Sequence, residues 1–159
     1  MGNTAPSDIL IRCLLVPLRT VNLLIPSATI AEITTYEEPL PAPLAPDWIM
    51  GMSMWRGLSI PLLSLDSLLG NQDIGRSKNS KIAVFNTLNG NPAVPFFAVE
   101  TEGIPRIYQV TADTLEVVDR EQDQQGPILS RVMIDGVEAI IPDLDALENK
   151  LIQQGMRLN

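Results

Sequence analysis

The amino-acid sequence offers few of the side chains that catalyse reactions or hold metal ions. None of its 159 residues is a histidine, which removes the usual general base at neutral pH, every Ser/His or Cys/His nucleophile pair and the commonest zinc ligand. The single cysteine, Cys13, lies in an apolar run and has no partner for an internal disulfide, which favours a buried core residue over a reactive thiol. The sequence therefore argues against most hydrolases.

Carboxylates are the remaining candidates for chemistry. Four of them lie close together towards the C-terminus: Asp135, Glu138, Asp143 and Asp145. Their spacing matches no EF-hand loop, and a turn role for Asp135 and a helix-cap role for Asp143 account for two of them. A small enzyme that uses Glu32 with Asp66 in a cleft is a rival hypothesis, although no spacing supports it. We expect no catalytic residue, no metal and no cofactor.

The charge and hydropathy of the chain narrow its partners further. A net charge of −8 opposes attraction to nucleic acid or anionic lipid, because both recruit proteins through a positive field. No apolar run approaches the roughly 18 to 20 residues that a membrane helix needs. We expect a cytoplasmic protein that binds no nucleic acid and does not insert into a membrane.

Residues 42–70 are the most informative stretch for the elements that must position any site. Four prolines within residues 39–46 predict an extended lead-in, because each fixes φ and removes a hydrogen-bond donor. Residues 48–55 and 58–65 then predict two strands, joined by a tight turn at Arg56-Gly57. The stretch is a predicted β-hairpin.

The same order of elements recurs near the C-terminus. Shifting the chain by 79 positions lays residues 49–70 over residues 128–149, and each copy predicts a strand, a glycine turn, a second strand and a leucine-containing close. Ten glycines, thirteen prolines and only 4% aromatic residues also favour many turns between short strands. Two similar small antiparallel barrels are the interpretation that we prefer, with chance similarity between two apolar hairpins as the alternative.

These segments resemble the CheW-like domain family of chemotaxis coupling adaptors. The matching pieces are an apolar-x-Glu-Ile step at residues 30–33, a proline-rich arm at 43–47, a turn motif that begins with Gly51 in residues 48–51 and ends with Arg-Gly at 56–57, and an apolar-Pro strand at 60–65. Weaker matches extend through residues 97–118 and 128–147. The chain departs from the family pattern at Met54-Trp55, where Asn-Leu is usual, and at Ser64, where Asp is usual.

The resemblance implies a mainly β fold of two interleaved five-stranded antiparallel, SH3-like barrels packed together, with short helices that include a C-terminal one. We expect a single domain over residues 1–159. Its predicted parts are a first barrel at 9–25 and 30–75, a second barrel at 80–142 and a helix at 143–154. Strand exchange between the barrels is left open.

The resemblance also implies a function without catalysis. The chain would join the cytoplasmic tip of a methyl-accepting chemoreceptor to the regulatory domain of a CheA-type histidine kinase, in the cytoplasm or recruited to receptor arrays. The Met54-Trp55 departure points to an accessory adaptor, in a system that governs type IV pili and twitching motility instead of flagella. The alternative is a CheW-like binding module that has lost kinase coupling and serves another protein partner.

Six residues are the predicted partner-binding site. Five are carried over from the family by position: Ile30, Glu32, Gly51, Arg56 and Gly57. Trp55 is added because an exposed tryptophan in an apolar hairpin commonly anchors a protein interface. Arg56 has two alternative roles, since its guanidinium either forks onto a partner's carboxylate or ties down a local group such as Glu32. For the two glycines a backbone requirement is favoured over direct contact.

The large apolar side chains of the hairpin also have two alternative roles, packing in the core or contacting a partner. Trp48 and Trp55 lie seven residues apart, hence on opposite faces of a regular strand, so at most one points fully into the core unless a bulge intervenes. Met50, Met52 and Met54 alternate along the strand and share a face. That face is either core or an adaptable binding surface, and we expect core.

Overall fold

The computed structural model of the protein describes residues 10–70, 77–87, 94–111, 113–120 and 128–158. Eleven strands and two α-helices occur within these residues. The strands are β1 Ile11–Pro17, β2 Asn22–Pro26, β3 Ile30–Thr35, β4 Ile49–Trp55, β5 Leu58–Leu63, β6 Ser80–Asn86, β7 Phe96–Glu102, β8 Arg106–Val110, β9 Leu115–Arg120, β10 Ile128–Ile134 and β11 Val137–Pro142. The helices are α1 Leu65–Leu68 and α2 Leu144–Leu158, and a short 3-10 helix covers Ser27–Thr29. The mainly β fold with a C-terminal helix is therefore confirmed.

The described strands form two sheets. A six-stranded sheet has the order β8-β1-β2-β11-β10-β9, and a five-stranded sheet has the order β3-β6-β7-β5-β4. Neighbouring strands are antiparallel except for the pairs β2–β11 and β5–β7, which are parallel. Each sheet encloses its own apolar cluster, as the sheet of a small barrel does. A larger third cluster lies between the two sheets and is covered by α2.

The grouping of strands differs from the predicted division of the chain. The prediction placed residues 9–25 in the first barrel and residues 80–142 in the second, but β1 and β2 pair with β8 and β11, whereas β6 and β7 pair with β3 and β5. The barrels therefore exchange strands, the arrangement that the sequence left open, and one described sheet has six strands instead of five. The predicted bounds at residues 9 and 75 lie outside the described residues.

The physical reason for this difference lies in strands that are buried on both faces. In β1, Leu15 packs inside the six-stranded sheet while its neighbour Val16 packs in the central cluster between the sheets. An apolar run of this kind predicts a buried strand but carries no alternation that would indicate which sheet it joins. The partners of β1 are fixed by contacts that are distant in sequence, such as Cys13 opposite Tyr108 of β8.

The two predicted hairpins share one turn geometry. Arg56 and Gly57 have φ of 49° and 79°, and Asp135 and Gly136 have φ of 49° and 76°. Positive φ at both central residues of a two-residue loop defines a type I′ turn, whose twist matches that of paired strands. Trp55 pairs with Leu58 across the first turn, as the hairpin prediction requires.

A buried carboxylate connects the two sheets. Asp66 in α1 is 6% exposed and accepts hydrogen bonds from the Arg19 N–H at 3.1 Å, the Thr20 N–H at 3.0 Å and the Thr20 Oγ1 hydroxyl at 2.5 Å. Arg19 Nε also lies 3.5 Å from Glu102 Oε2 at the end of β7. Since Arg19 and Thr20 form the β1–β2 turn of one sheet, and Asp66 and Glu102 adjoin the other, these four residues form a clasp between the sheets.

The C-terminal helix begins as the sequence predicts. Asp143 Oδ1 accepts a hydrogen bond from the Ala146 N–H at 3.0 Å, the geometry of a helix N-cap. The helix continues to Leu158, beyond the predicted end at residue 154. Leu147 and Leu151 on its inner face are each 1% exposed and pack into the central cluster.

Cys13 lies inside the six-stranded sheet and is 7% exposed. Burial raises the pKa of its thiol, because the thiolate is poorly solvated there. We expect the disulfide reagent DTNB at pH 8 to label the native protein about a hundredfold more slowly than the urea-unfolded protein. Thionitrobenzoate absorbance measures both rates, and equal rates would show that the thiol is accessible in the fold.

Candidate functional site

Three of the six predicted site residues meet where β3 faces the β4–β5 turn. Glu32 Oε1 accepts a hydrogen bond from Arg56 Nη2 at 2.9 Å and a second from Trp55 Nε1 at 3.3 Å. The Arg56 guanidinium carbon lies 4.8 Å from the centroid of the Trp55 ring, within the range of a cation–π contact. We call these three residues the Glu32 cluster.

Local backbone features position the Glu32 cluster. The type I′ turn places Arg56 directly after the last residue of β4, so its side chain emerges beside Trp55. In β3 the pairing with β6 slips between Ile30 and Glu32, a bulge that re-aims the strand at this point. The Trp55 ring packs at 4.8 Å from the ring of Phe96 on β7, which fixes its orientation.

Arg56 forms the local pairing that was one of its two alternatives. Its side chain is nevertheless 68% exposed, whereas that of Glu32 is 37% exposed. An ion pair this open to water contributes at most about 1 kcal/mol to stability. The pairing therefore orients the guanidinium and leaves much of its surface accessible.

Gly51 serves the backbone and contributes no contact surface of its own. Its φ is +148°, and a Cβ placed on it would lie 2.2 Å from the carbonyl oxygen of Leu40. Leu40 approaches so closely because its N–H and C=O each form a 2.8 Å hydrogen bond with Met52. Gly57 has φ of +79° with open space around it, so it meets the conformational need of the turn.

Ile30 is not part of the Glu32 cluster. It is partly buried and packs against the central cluster between the sheets. Trp48 packs against the same central cluster, while Trp55 packs against the cluster inside the five-stranded sheet, so both rings are partly buried. The two rings therefore lie on opposite faces of the sheet and neither is fully buried, as the regular-strand expectation requires, although a register shift lies between Ile49 and Gly51.

That register shift also separates the three methionines. Met50 packs inside the five-stranded sheet, as expected, but Met54 is 64% exposed, so the expectation of a shared core face is wrong for it. Leu58, which pairs with Trp55 across the turn, is 42% exposed. The hairpin tip thus presents apolar surface beside the Glu32 cluster.

An open cleft of about 430 Å³ adjoins the Glu32 cluster, between β3 and β4. Its floor is apolar and consists of Ile60, Ile82, Val84 and Ala98, each at most 5% exposed. Its rim carries the three carboxylates of Glu32, Glu37 and Glu38 and the guanidinium of Arg56. Sequence reasoning missed Glu37 and Glu38, whose only signal is an acidic pair directly before the proline-rich arm.

The chemistry of this site is that of binding. The two carboxylates of the rival enzyme hypothesis are separate, because Asp66 is held in the clasp while Glu32 lies on the cleft rim with Trp55 and Arg56. Over the described ranges, no group of three or more metal-ligating side chains converges. No helix in the same part of the chain has the length and apolar content to cross a bilayer.

The fold consists of two curled sheets on a shared core, with a cleft of ligand size beside the Glu32 cluster. These features define a two-barrel binding domain. The chain belongs to the CheW-like domain family, which matches residues 12–151. Members of this family are scaffolds, so a chemotaxis coupling adaptor is the general role that the match supports.

A solved structure agrees with the family assignment. The scaffolding protein TtCheW from Thermoanaerobacter tengcongensis superimposes with a TM-score of 0.70 at 17% sequence identity, covering 85% of this chain and 90% of that chain. Identity this low establishes a shared fold, including its two SH3-like barrels. No curated protein sequence matches the chain significantly.

Proposed function

We propose that this chain is a non-enzymatic cytoplasmic adaptor that couples the tip of a methyl-accepting chemoreceptor to the regulatory domain of a CheA-type histidine kinase. Family membership supports a coupling role. The observation that carries the proposal furthest is the Glu32 cluster, where two residues carried over from the family, Glu32 and Arg56, meet Trp55 on one accessible surface.

The Glu32 cluster has the features of an interface anchor. Binding energy at protein interfaces concentrates in arginine and aromatic residues set in a ring of apolar contacts. Arg56 is held in one orientation by Glu32 and Trp55, so less side-chain entropy is lost when a partner carboxylate binds its remaining N–H groups. Exposed Met54 and Leu58 supply apolar contact area next to it.

Calorimetric titration against the regulatory domain of each chemotaxis-type kinase of the organism, and against receptor tip fragments, tests the proposal. We expect micromolar binding to both partners, typical of transient signalling contacts. The partner that binds also decides between a flagellar and a type IV pilus system, of which we propose the pilus system because Trp55 replaces the residue usual in the family.

Reversal of the Arg56 charge localises the contact. We expect Arg56→Glu to weaken partner binding about tenfold or more while the free energy of unfolding changes by less than about 1 kcal/mol, because the Arg56–Glu32 pair is exposed. Arg106→Glu, the same reversal at an exposed position of β8 in the other sheet, is the matched control and should leave binding unchanged. Unchanged binding by the Arg56 variant would remove the Glu32 cluster from the interface.

If the chain binds neither partner, the fold assignment stands, but the chain must serve a different protein partner. In that case the chain would be a CheW-like module that has lost kinase coupling, and the Trp55 substitution would be the place to search for the cause. The same titrations therefore decide between the two functions.

A further inference from the structure

The cleft beside the Glu32 cluster lies between the two edge strands of the five-stranded sheet. β3 pairs only with β6, and β4 pairs only with β5, among the described strands. The gap between these edges is bridged at one side by the contacts of Glu32 with Trp55 and Arg56. At the other side it is bridged by the isolated pairing of Leu40 with Met52.

The pairing of Leu40 with Met52 shows that the outer edge of β4 accepts an extended segment. The two residues exchange hydrogen bonds of 2.8 Å in antiparallel fashion, but the pairing is an isolated bridge. Continued by two residues, it would set Glu38 opposite Met54, but within the described residues the pairing stops at this single bridge, and both Glu38 and Met54 line the cleft. The arm thus leaves the edge at the point where the cleft begins.

The inner face of β3 indicates that this gap is an open binding surface. Glu32 pairs with Val84 and Thr34 pairs with Ile82, so these polar side chains project to the same side as two buried floor residues. In a closed barrel this face would be apolar core. Polar side chains above an apolar floor suit a site that another chain covers.

The charges on the rim select the kind of segment that fits. Glu32, Glu37 and Glu38 outnumber the single guanidinium of Arg56, and the whole chain carries a net charge of −8. A segment rich in carboxylates would be repelled by this rim, even though a single carboxylate can bind Arg56, and a helix makes no use of a strand edge because its backbone groups are paired internally. An extended strand satisfies the edge, while its alternate side chains reach either the apolar floor or the acidic rim.

We infer that the β3–β4 cleft binds a short extended segment of a partner protein, in which apolar residues alternate with lysine or arginine, by strand addition. The inference rests on the proposed function, since the cleft adjoins the Glu32 cluster, and it adds the chemistry of the segment. The rival explanation of the same features is that the acidic rim only protects a free edge from aggregation.

Titration of the full-length ¹⁵N-labelled protein with two blocked hexapeptides tests the inference. The probe peptide contains three Val-Lys repeats and the control peptide three Val-Glu repeats. We expect the probe alone to shift the amide signals of β3, residues 36–40 and β4, and to leave those of β10 and β11 in place. Equal shifts with both peptides, no shift with the probe, or shifts confined to the edge strands β8 and β9 would overturn the inference.

Charge-reversal variants test whether binding of the probe peptide depends on the acidic rim of the cleft. The double variant Glu37→Lys/Glu38→Lys should weaken binding of the probe about tenfold or more. The control Asp113→Lys/Glu116→Lys, which changes the same charge at exposed positions near β9, should change it less than twofold. Equal effects of the two variants would show that only net charge matters and would overturn the inference.

Parallel titrations with the kinase domain and the receptor fragment separate the two proposals. Kinase or receptor binding without a response to the probe would refute the strand-addition inference and leave the proposed function intact. A response to the probe in the cleft, without binding to either partner, would support the chemistry of the cleft and refute the proposed partners.

Discussion

Replacing Gly51 with alanine is expected to lower the free energy of unfolding by about 3 kcal/mol. The new Cβ would lie 2.2 Å from the Leu40 carbonyl oxygen, and because that oxygen belongs to the main chain and the Cβ is bonded directly to Cα, no flexible group can move aside. Either β4 distorts at a φ of +148°, which an L side chain rarely adopts, or the arm detaches and loses its two hydrogen bonds with Met52. Urea unfolding followed by circular dichroism measures the loss.

Gly57→Ala is the matched control for this prediction. Gly57 also has positive φ, but a Cβ there meets nothing within 4 Å, so the substitution adds conformational strain without a collision. We expect a cost of about 1 kcal/mol. Hydrogen exchange of the Met52 amide, which donates to Leu40, should accelerate in the Gly51 variant and not in the Gly57 variant. Equal losses of stability in the two variants would show that the close approach of Leu40 has no energetic consequence.

Turns and helix starts are the parts of this fold that the sequence predicts best. The Arg56-Gly57 and Asp135-Gly136 pairs have the positive φ values that a type I′ turn demands, and glycine at the second position makes that geometry inexpensive. Asp143 caps α2 through a contact only three residues away. In each case the physical cause lies within a few residues of its effect, so a local pattern is sufficient.

Strand partners and the cleft depend on contacts that no local pattern contains. β1 and β2 pair with strands of the β8 to β11 sheet through contacts between residues about a hundred positions apart in the sequence. One such contact is the hydrogen bond that the Asn22 side-chain amide of β2 donates to the Glu138 carbonyl of β11. The cleft exists because β3 and β4 are the opposite edge strands of a curled sheet whose middle strands come from later in the chain. Glu37 and Glu38 become rim residues only through that arrangement.

The roles of single residues in the candidate site also depend on contacts that a local sequence pattern does not contain. The resemblance identified Glu32 and Arg56, but it did not distinguish a side chain that contacts a partner from a glycine that the backbone requires. Gly51 belongs to the second kind, because Leu40 occupies the space of its missing side chain. The exposure of Met54 depends on a register shift near Met50, which an alternating strand pattern does not contain.

Replacing Asp66 with alanine is the other substitution for which we expect a large effect, a loss of about 3 kcal/mol in the free energy of unfolding. The Asp66 carboxylate is 6% exposed and is the common acceptor for two N–H groups and one hydroxyl of the β1–β2 turn. Its removal would break these three hydrogen bonds and detach the turn of one sheet from the helix that follows the other. Hydrogen bonds to a charged acceptor are among the stronger ones, so the loss should exceed that of a surface ion pair.

Two further variants separate the contribution of the clasp from that of packing. Asp66→Asn keeps the size of the side chain but has one acceptor oxygen and no charge, so we expect it to lose about half as much stability as Asp66→Ala. Thr20→Val removes the hydroxyl donor, and in the Asp66→Ala background it should cost less than in the native protein, because the hydrogen bond between Thr20 and Asp66 is already absent. Additive losses in the double variant would mean that Thr20 and Asp66 stabilise the fold independently. A loss below about 0.5 kcal/mol for Asp66→Ala would show that the central apolar cluster alone holds the sheets together.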